Sequence, residues 1–244
     1  MAEFKFPTEK VKLPSQGHFY PTDHPLSIGE VEMKYMTARE EDILTNTNYI
    51  SQGVVLDKLL ESLIISPDFK LEDMLLGDKN SLLVASRVLG YGKNYTFKVR
   101  GVEETVDLSE LGSTKIDFDS LSKGQNSFEY TLPNSGTNIT YKILNGKDEK
   151  TISKEIEGYK KIDKDASPEI STRLRTMITS VEGDKTPQKI NEFVSNYLLA
   201  IDSRELRKEY QLNNPDVDLA FRGQDGRQKT IPINISFFWP DSDL

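Results

Sequence analysis

Two histidines and a surplus of carboxylates are the reactive groups this sequence offers. His18 and His24 stand in a proline-rich stretch with Asp23 beside the second. Two imidazoles and a carboxylate form a ligand set for a metal such as zinc, but loop histidines are more often plain polar surface. Adjacent acids occur at Glu40/Glu41, Glu72/Asp73 and Glu103/Glu104. Neighbouring side chains diverge in a helix or a strand, so none of these pairs can close on one glycosidic bond. They read as solvated faces. Cysteine is absent, which removes disulfides, thiolate metal sites, iron–sulfur clusters and cysteine nucleophiles. There is no Gly-x-Ser-x-Gly elbow and no Walker phosphate loop. Gly90-Tyr91-Gly92 ends a helical pattern and enters a strand, the reverse of a dinucleotide site, and reads as a helix C-cap. The expectation is a protein with no catalytic residues, no metal and no cofactor.

Two aromatic groups suggest binding instead. Tyr91, Tyr95, Phe97, Lys98 and Arg100 would suit single-stranded nucleic acid, although sheet packing accounts for the same rings. In Phe237-Phe238-Trp239-Pro240, the two phenylalanines of a strand would point to opposite faces, so both faces need cover. Either the chain supplies both covers or a partner supplies one.

Charge narrows the choice of partner. The 244 residues carry 31 basic and 39 acidic groups, a net charge of −8, with 36% hydrophobic residues. Such a chain can enclose one large core or two small ones. No segment is net basic, which makes nucleic acid an unlikely partner. No apolar run spans a membrane, and the start lacks a signal-peptide core, so the expected location is intracellular.

The elements that must position these residues follow from periodicity. The first thirty residues read as an extended, turn-rich arm anchored by Phe4, Phe6, Phe19 and Tyr20, packed either on its own domain or on a partner. Residues 30–36 alternate as a strand. Thr37 and Glu40 form a capping box for a helix over 38–45. A leucine stripe predicts a helix over 54–65, stopped by Pro67. A further turn over 71–76 should end at Gly77, and Asp78 or Asn80 should cap a helix closed by Gly90 and Gly92. Hairpins are predicted over 94–108 and 128–143. Residues 148–212 read as three or four helices. Ser167-Pro168 and Thr186-Pro187 begin two of them, and their stripes run through Val181 and through Ile201. A last hairpin turns at Asp225-Gly226 and returns as a strand over 230–238. The fold class is therefore α+β, with short helices first, antiparallel hairpins, and a small helical bundle inserted before a C-terminal hairpin. The regions are 1–92, 93–145, 146–212 and 213–244, with 93–145 and 213–244 expected to join.

Several motifs then resemble a known family. Leu13-Pro14-Ser15-x-Gly17-x-x-Tyr20-Pro21 comes first, followed by Val31 to Thr45 with Thr37-Ala38-Arg39-Glu40-Glu41-Asp42. Val55-x-Asp57-Lys58-Leu59-Leu60, Gly77-Asp78-Lys79-Asn80, Arg87-x-Leu-Gly-Tyr91-Gly92-x-x-Tyr95 and Phe237-Phe238-Trp239-Pro240 complete the set. As an ordered set they resemble a baseplate hub protein family of T-even-like contractile-tailed phages, including those of marine cyanobacteria. The likeness is dense over 10–108, thin through the helical region, and returns at the C-terminus. It implies a non-enzymatic protein, either a hub subunit or a hub assembly factor. Its partners would be other hub or tail proteins, in the host cytoplasm during assembly or in the virion baseplate. Some broader relatives carry cysteine pairs near the hairpin tips, implying a small zinc site. Here the tips read Arg100-Gly101-Val102-Glu103 and Arg222-Gly223-Gln224-Asp225.

The residues expected to meet partners are Pro14, Gly17, Phe19, Tyr20, Glu40, Glu41, Tyr91, Tyr95, Phe237, Phe238 and Trp239. On that expectation, removing residues 1–28 impairs binding more than folding. The alternative function is a single-stranded nucleic-acid module built on the Tyr95–Arg100 strand.

Overall fold

The computed structural model describes residues 7–66, 68–99, 101–162 and 168–238. The arm opens with a strand, β1 (Thr8–Lys12), antiparallel to β2 (Glu30–Lys34) with Val11 opposite Val31. Turns and a short 3-10 helix, Pro25–Ile28, join them; His24 caps that helix by accepting the Leu26 N–H on Nδ1. Phe4 and Phe6 lie outside the described residues, as do Pro67 and Ser167.

Short helices follow, broken where capping residues and glycine dictate. They are α1 (Ala38–Leu44), α2 (Thr47–Ser51, capped by Asn46) and α3 (Val55–Leu63). Leu59, Leu60 and Leu63 of the α3 stripe are fully buried, and Leu56 is partly buried against the same core. After a 3-10 turn at Leu71–Asp73 comes α4 (Leu76–Tyr91), with Gly92 at its C-cap. Gly77 does not end a helix, and Asp78 and Asn80 do not cap one. All three lie inside α4. A Cβ on Gly77 would sit 1.8 Å from the Pro215 carbonyl oxygen, so this glycine serves close backbone approach rather than a helix end.

The first hairpin pairs β3 (Asn94–Val99) with β4 (Val102–Asp107), and the second pairs β5 (Phe128–Thr131) with β6 (Asn138–Tyr141). Then come α5 (Gly146–Ile162), α6 (Glu169–Met177), β7 (Ile178–Val181), α7 (Pro187–Asn196) and α8 (Ala200–Asn213). The helix expected through Val181 stops at Met177. Ile178 to Val181 instead pairs with β6 as a third strand. An apolar spacing of three and four fits either state over so few residues, and strand pairing suits the β-branched Ile178, Thr179 and Val181. The stripe through Ile201 also splits: α7 ends at Asn196 and α8 starts at Ala200.

The last hairpin, β8 (Ala220–Arg222) with β9 (Gln228–Thr230), turns at Gly226 with φ +74°. Its return strand is shorter than predicted. Residues Ile235–Phe237 form a 3-10 turn, so Phe237 and Phe238 do not face opposite sides of a strand. The result is α+β, with four small antiparallel sheets in the described residues. One continuous core runs from Leu13 and Tyr20 through Leu59 and Leu82 to Phe237 and Phe238.

Candidate partner-binding surface and its buried supports

Asp78 gathers the first motif. Ser15 donates to it twice, from N–H to Oδ1 (2.9 Å) and from Oγ to Oδ2 (2.6 Å). Tyr20 donates its hydroxyl to Oδ2 at 2.6 Å and accepts the Leu75 N–H at 2.9 Å. The three side chains are buried. Burial pushes the Asp78 carboxyl up to about 6, against the hydrogen bonds that favour its charge; nearby Asp216 adds to the rise. Burial, then the Asp78 charge, raises Tyr20. Gly17 holds the approach to this centre at φ +74°, where a Cβ would lie 2.4 Å from the Ser27 carbonyl oxygen. Pro14 and Phe19 are buried beside it, Phe19 packed edgewise on His18 and tilted against Phe128.

The remaining motifs make similar supports. Glu40 accepts from Thr37 N–H (2.9 Å), Thr37 Oγ1 (2.6 Å), Lys34 (2.9 Å) and Ser62 (2.7 Å). Burial opposes its ionisation, but the hydrogen bonds from Thr37, Lys34 and Ser62 outweigh it and hold the carboxyl at about 2. Lys79 pairs with Asp57, and Asn80 donates to Asp216 at 3.1 Å. Buried Arg87 donates to the carbonyls of Phe237 (3.0 Å) and Gly92 (3.1 Å), with its guanidinium over the Tyr91 and Tyr95 rings. Tyr95 stacks on Phe97 at 4.6 Å and meets Phe237 edgewise at 4.8 Å. Phe237 and Phe238 are fully buried.

The two hairpin tips meet over a carboxylate. Buried Glu104 accepts from Lys229 Nζ at 2.6 Å and from the Gln224 N–H at 3.1 Å, while Gln224 Nε2 donates to the Glu103 carbonyl at 3.0 Å. Phe97 and Phe221 pack edgewise beneath this contact. Arg100 lies outside the described residues.

Most of the residues expected to meet partners are thus committed inside the chain. Pro14, Gly17, Phe19, Tyr20, Glu40, Tyr95, Phe237 and Phe238 are buried, which corrects their reading as surface contacts. The physical reason is that Phe19, Tyr20, Glu40, Tyr95 and Phe237 close contacts with segments distant in sequence. Glu41 and Tyr91 are half-exposed and are brought together, the Tyr91 hydroxyl donating to Glu41 at 3.1 Å. Burial and that carboxylate push the Tyr91 phenol up to about 12. Trp239 lies outside the described residues. His18 and His24 stay apart in role, His18 near the Leu121 carbonyl and His24 stacked on Tyr20. Among the described residues no group of three His, Asp or Glu side chains is placed to hold a metal, and no helix is long and apolar enough to cross a membrane.

Sequence reasoning missed one exposed apolar surface among the described residues. Tyr197, Leu199 and Ile201 are each about half exposed at the corner between α7 and α8. Directly behind them, buried Asp202 accepts the N–H groups of Asn134 and Ser135, both at 2.9 Å, and so fixes the corner to the β5–β6 turn. The signal was present: five successive apolar residues, Tyr197 to Ile201, cannot all lie on one helix face. Comparison with family models, with curated proteins and with solved structures gave no match to this chain.

Proposed function

We propose that this chain is a non-enzymatic protein of a T-even-like phage baseplate hub, a hub subunit or a hub assembly factor, working through contacts with other hub or tail proteins. The observation that carries this reading is where the motif resemblance falls. Ser15, Tyr20 and Asp78 form one centre, and Thr37 and Glu40 a second. Arg87, Tyr91, Tyr95 and Phe237 form a third. A resemblance scattered over solvated positions would carry little weight; this one falls on the side chains that a shared fold would need. The fixed apolar corner at Tyr197, Leu199 and Ile201 supports a role in protein contacts. The nucleic-acid alternative is weakened by the burial of Tyr95 and Phe97, whose faces are already stacked within the chain.

Co-expression with hub and tail proteins followed by size-exclusion chromatography tests the proposal. A joint peak with one of them is expected, and separate elution of every candidate overturns it. Mass spectrometry of purified virions then separates the two forms: detection at hub stoichiometry marks a subunit, and absence marks an assembly factor.

A further inference from the structure

Among the described residues, the edge of β1 that faces away from β2 is unpaired. Leu13 N–H donates to Gly29 O at 2.9 Å, and Tyr35 N–H donates to Pro7 O at 3.2 Å. With Val11 opposite Val31, these two bonds place the odd-numbered residues of β1 in the hydrogen-bonded pairs of the ladder. Thr8, Lys10 and Lys12 therefore turn their N–H and C=O groups outward, and none of those groups has a partner among the described residues. Beside this edge runs a groove of about 470 Å³ that no residue of β2 lines. Val84, Ala85, Val88 and Leu89 of α4 form its apolar floor, with Leu108 and Leu111 beyond. Its far wall is Ser113, bridged to Val217; the flanking bonds Thr114 N–H to Asp216 O and Asp218 N–H to Gly112 O turn the Ser113 backbone away from Val217.

We propose that this groove receives an extended segment of a partner protein, added as a strand to β1. The proposal rests on the reading of this chain as a partner-binding protein and specifies the mode. Outward donors and acceptors at every second residue are matched by another strand and by no helix. The apolar floor requires the strand's inward residues to be apolar and small. Its outward residues are acidic: Lys12 and Lys115 border the groove and the depression continuing from it, and neither makes an ion pair among the described residues. Lys10 also borders it, held by Glu30, with Glu9 the acidic side chain on the same rim. A second copy of β1 is disfavoured, because antiparallel pairing would set lysines against lysines.

The test is selection of binders from displayed random peptides of about ten residues on the immobilised full chain, followed by amide exchange measured by NMR. Enriched peptides should alternate apolar with acidic residues, and they should slow exchange at Thr8, Lys10 and Lys12. Lys10→Pro removes one outward N–H and leaves the β1–β2 ladder intact. It should weaken binding by about tenfold without lowering the melting temperature. Ala85→Arg, which fills the floor, should do the same if Lys10→Pro proves unstable. The proposal is overturned if no peptide is enriched, if protection maps elsewhere, if both variants bind normally, or if the edge is protected by self-association alone. A hub complex that forms equally well with Lys10→Pro and Ala85→Arg removes the strand site and leaves the proposed function standing. Peptide binding at β1 with no hub partner does the reverse.

Discussion

Lys229 Nζ lies 2.6 Å from Glu104 Oε1, joining two hairpins whose residues are 125 positions apart. Both side chains are largely buried, at 14% and 4% exposure, and Gln224 adds an N–H to the same carboxylate. Where some broader relatives of the resembled family would carry metal at the hairpin tips, Lys229 here pairs with Glu104 and with Asp225 (3.3 Å), and Gln224 supplies a backbone donor.

Breaking that pair on one side should be costly. Lys229→Met leaves a buried carboxylate with one remaining donor and should destabilise the fold by about 3 kcal/mol. Lys229→Met combined with Glu104→Gln should recover much of the loss, since no buried charge remains. Urea unfolding with unchanged m-values would measure this; equal losses in the single and double variants would contradict it.

Asp78 should make the protein less stable as pH rises. Its folded value of about 6 lies above the ordinary 3.8, so its contribution is complete below about pH 4 and lost as pH climbs through 6. Two pKa units correspond to roughly 2–3 kcal/mol over that window. Asp78→Asn should flatten the stability profile between pH 4 and 6, read from urea midpoints at successive pH values.

Glu40 should act with the opposite sign. Its folded value of about 2 lies below 4.5, so its contribution is present above pH 4.5 and lost as pH falls towards 2. Glu40→Gln should therefore remove stability at pH 7 and reduce the slope of acid unfolding, followed by circular dichroism.

Gly77→Ala and Gly101→Ala make a contrast. The first places a methyl 1.8 Å from the Pro215 carbonyl oxygen and should cost about 3 kcal/mol or more. The second has open space, with only its φ of +81° to strain, and should cost about 1 kcal/mol. Thermal melts of the two variants would give the order.

Removing residues 1–28 should prevent folding outright rather than spare it. The segment supplies Leu13, Phe19, Tyr20 and Leu26 to the core and two of the three donors around Asp78 come from Ser15 alone. A truncated chain with a cooperative melt would show that the arm is dispensable.

Local signals in the sequence were legible and long-range ones were not. The Thr37/Glu40 capping box, the leucine stripe of α3 and the Gly226 turn each depend on neighbours within one or two turns, and each forms as expected. Gly77 was misread because its reason lies at Pro215, far along the chain. Ile178 to Val181 was misread because the edge of β6 decides its state. Most of the expected partner residues were aromatic, a type that also fills a core, and nothing local separates the two uses of Tyr20 or Phe237. The exposed corner at Tyr197, Leu199 and Ile201 was missed because Tyr197 and Ile201 also fit the helical stripe read through Ile201.

The burial of Phe237 and Phe238 against Arg87 and Tyr95 sets an order on synthesis. The ribosome makes Arg87 150 residues before Phe237, so the N-terminal helices and first hairpin leave the exit tunnel well ahead of their cover. Until residue 238 emerges, Tyr95 and the stem of Arg87 stay open to solvent, and the nascent chain is a client for any chaperone that reads aromatic surface. Ribosomes stalled before that point should hold an incompletely closed intermediate, and emergence of this segment, rather than the first collapse, should close the contact.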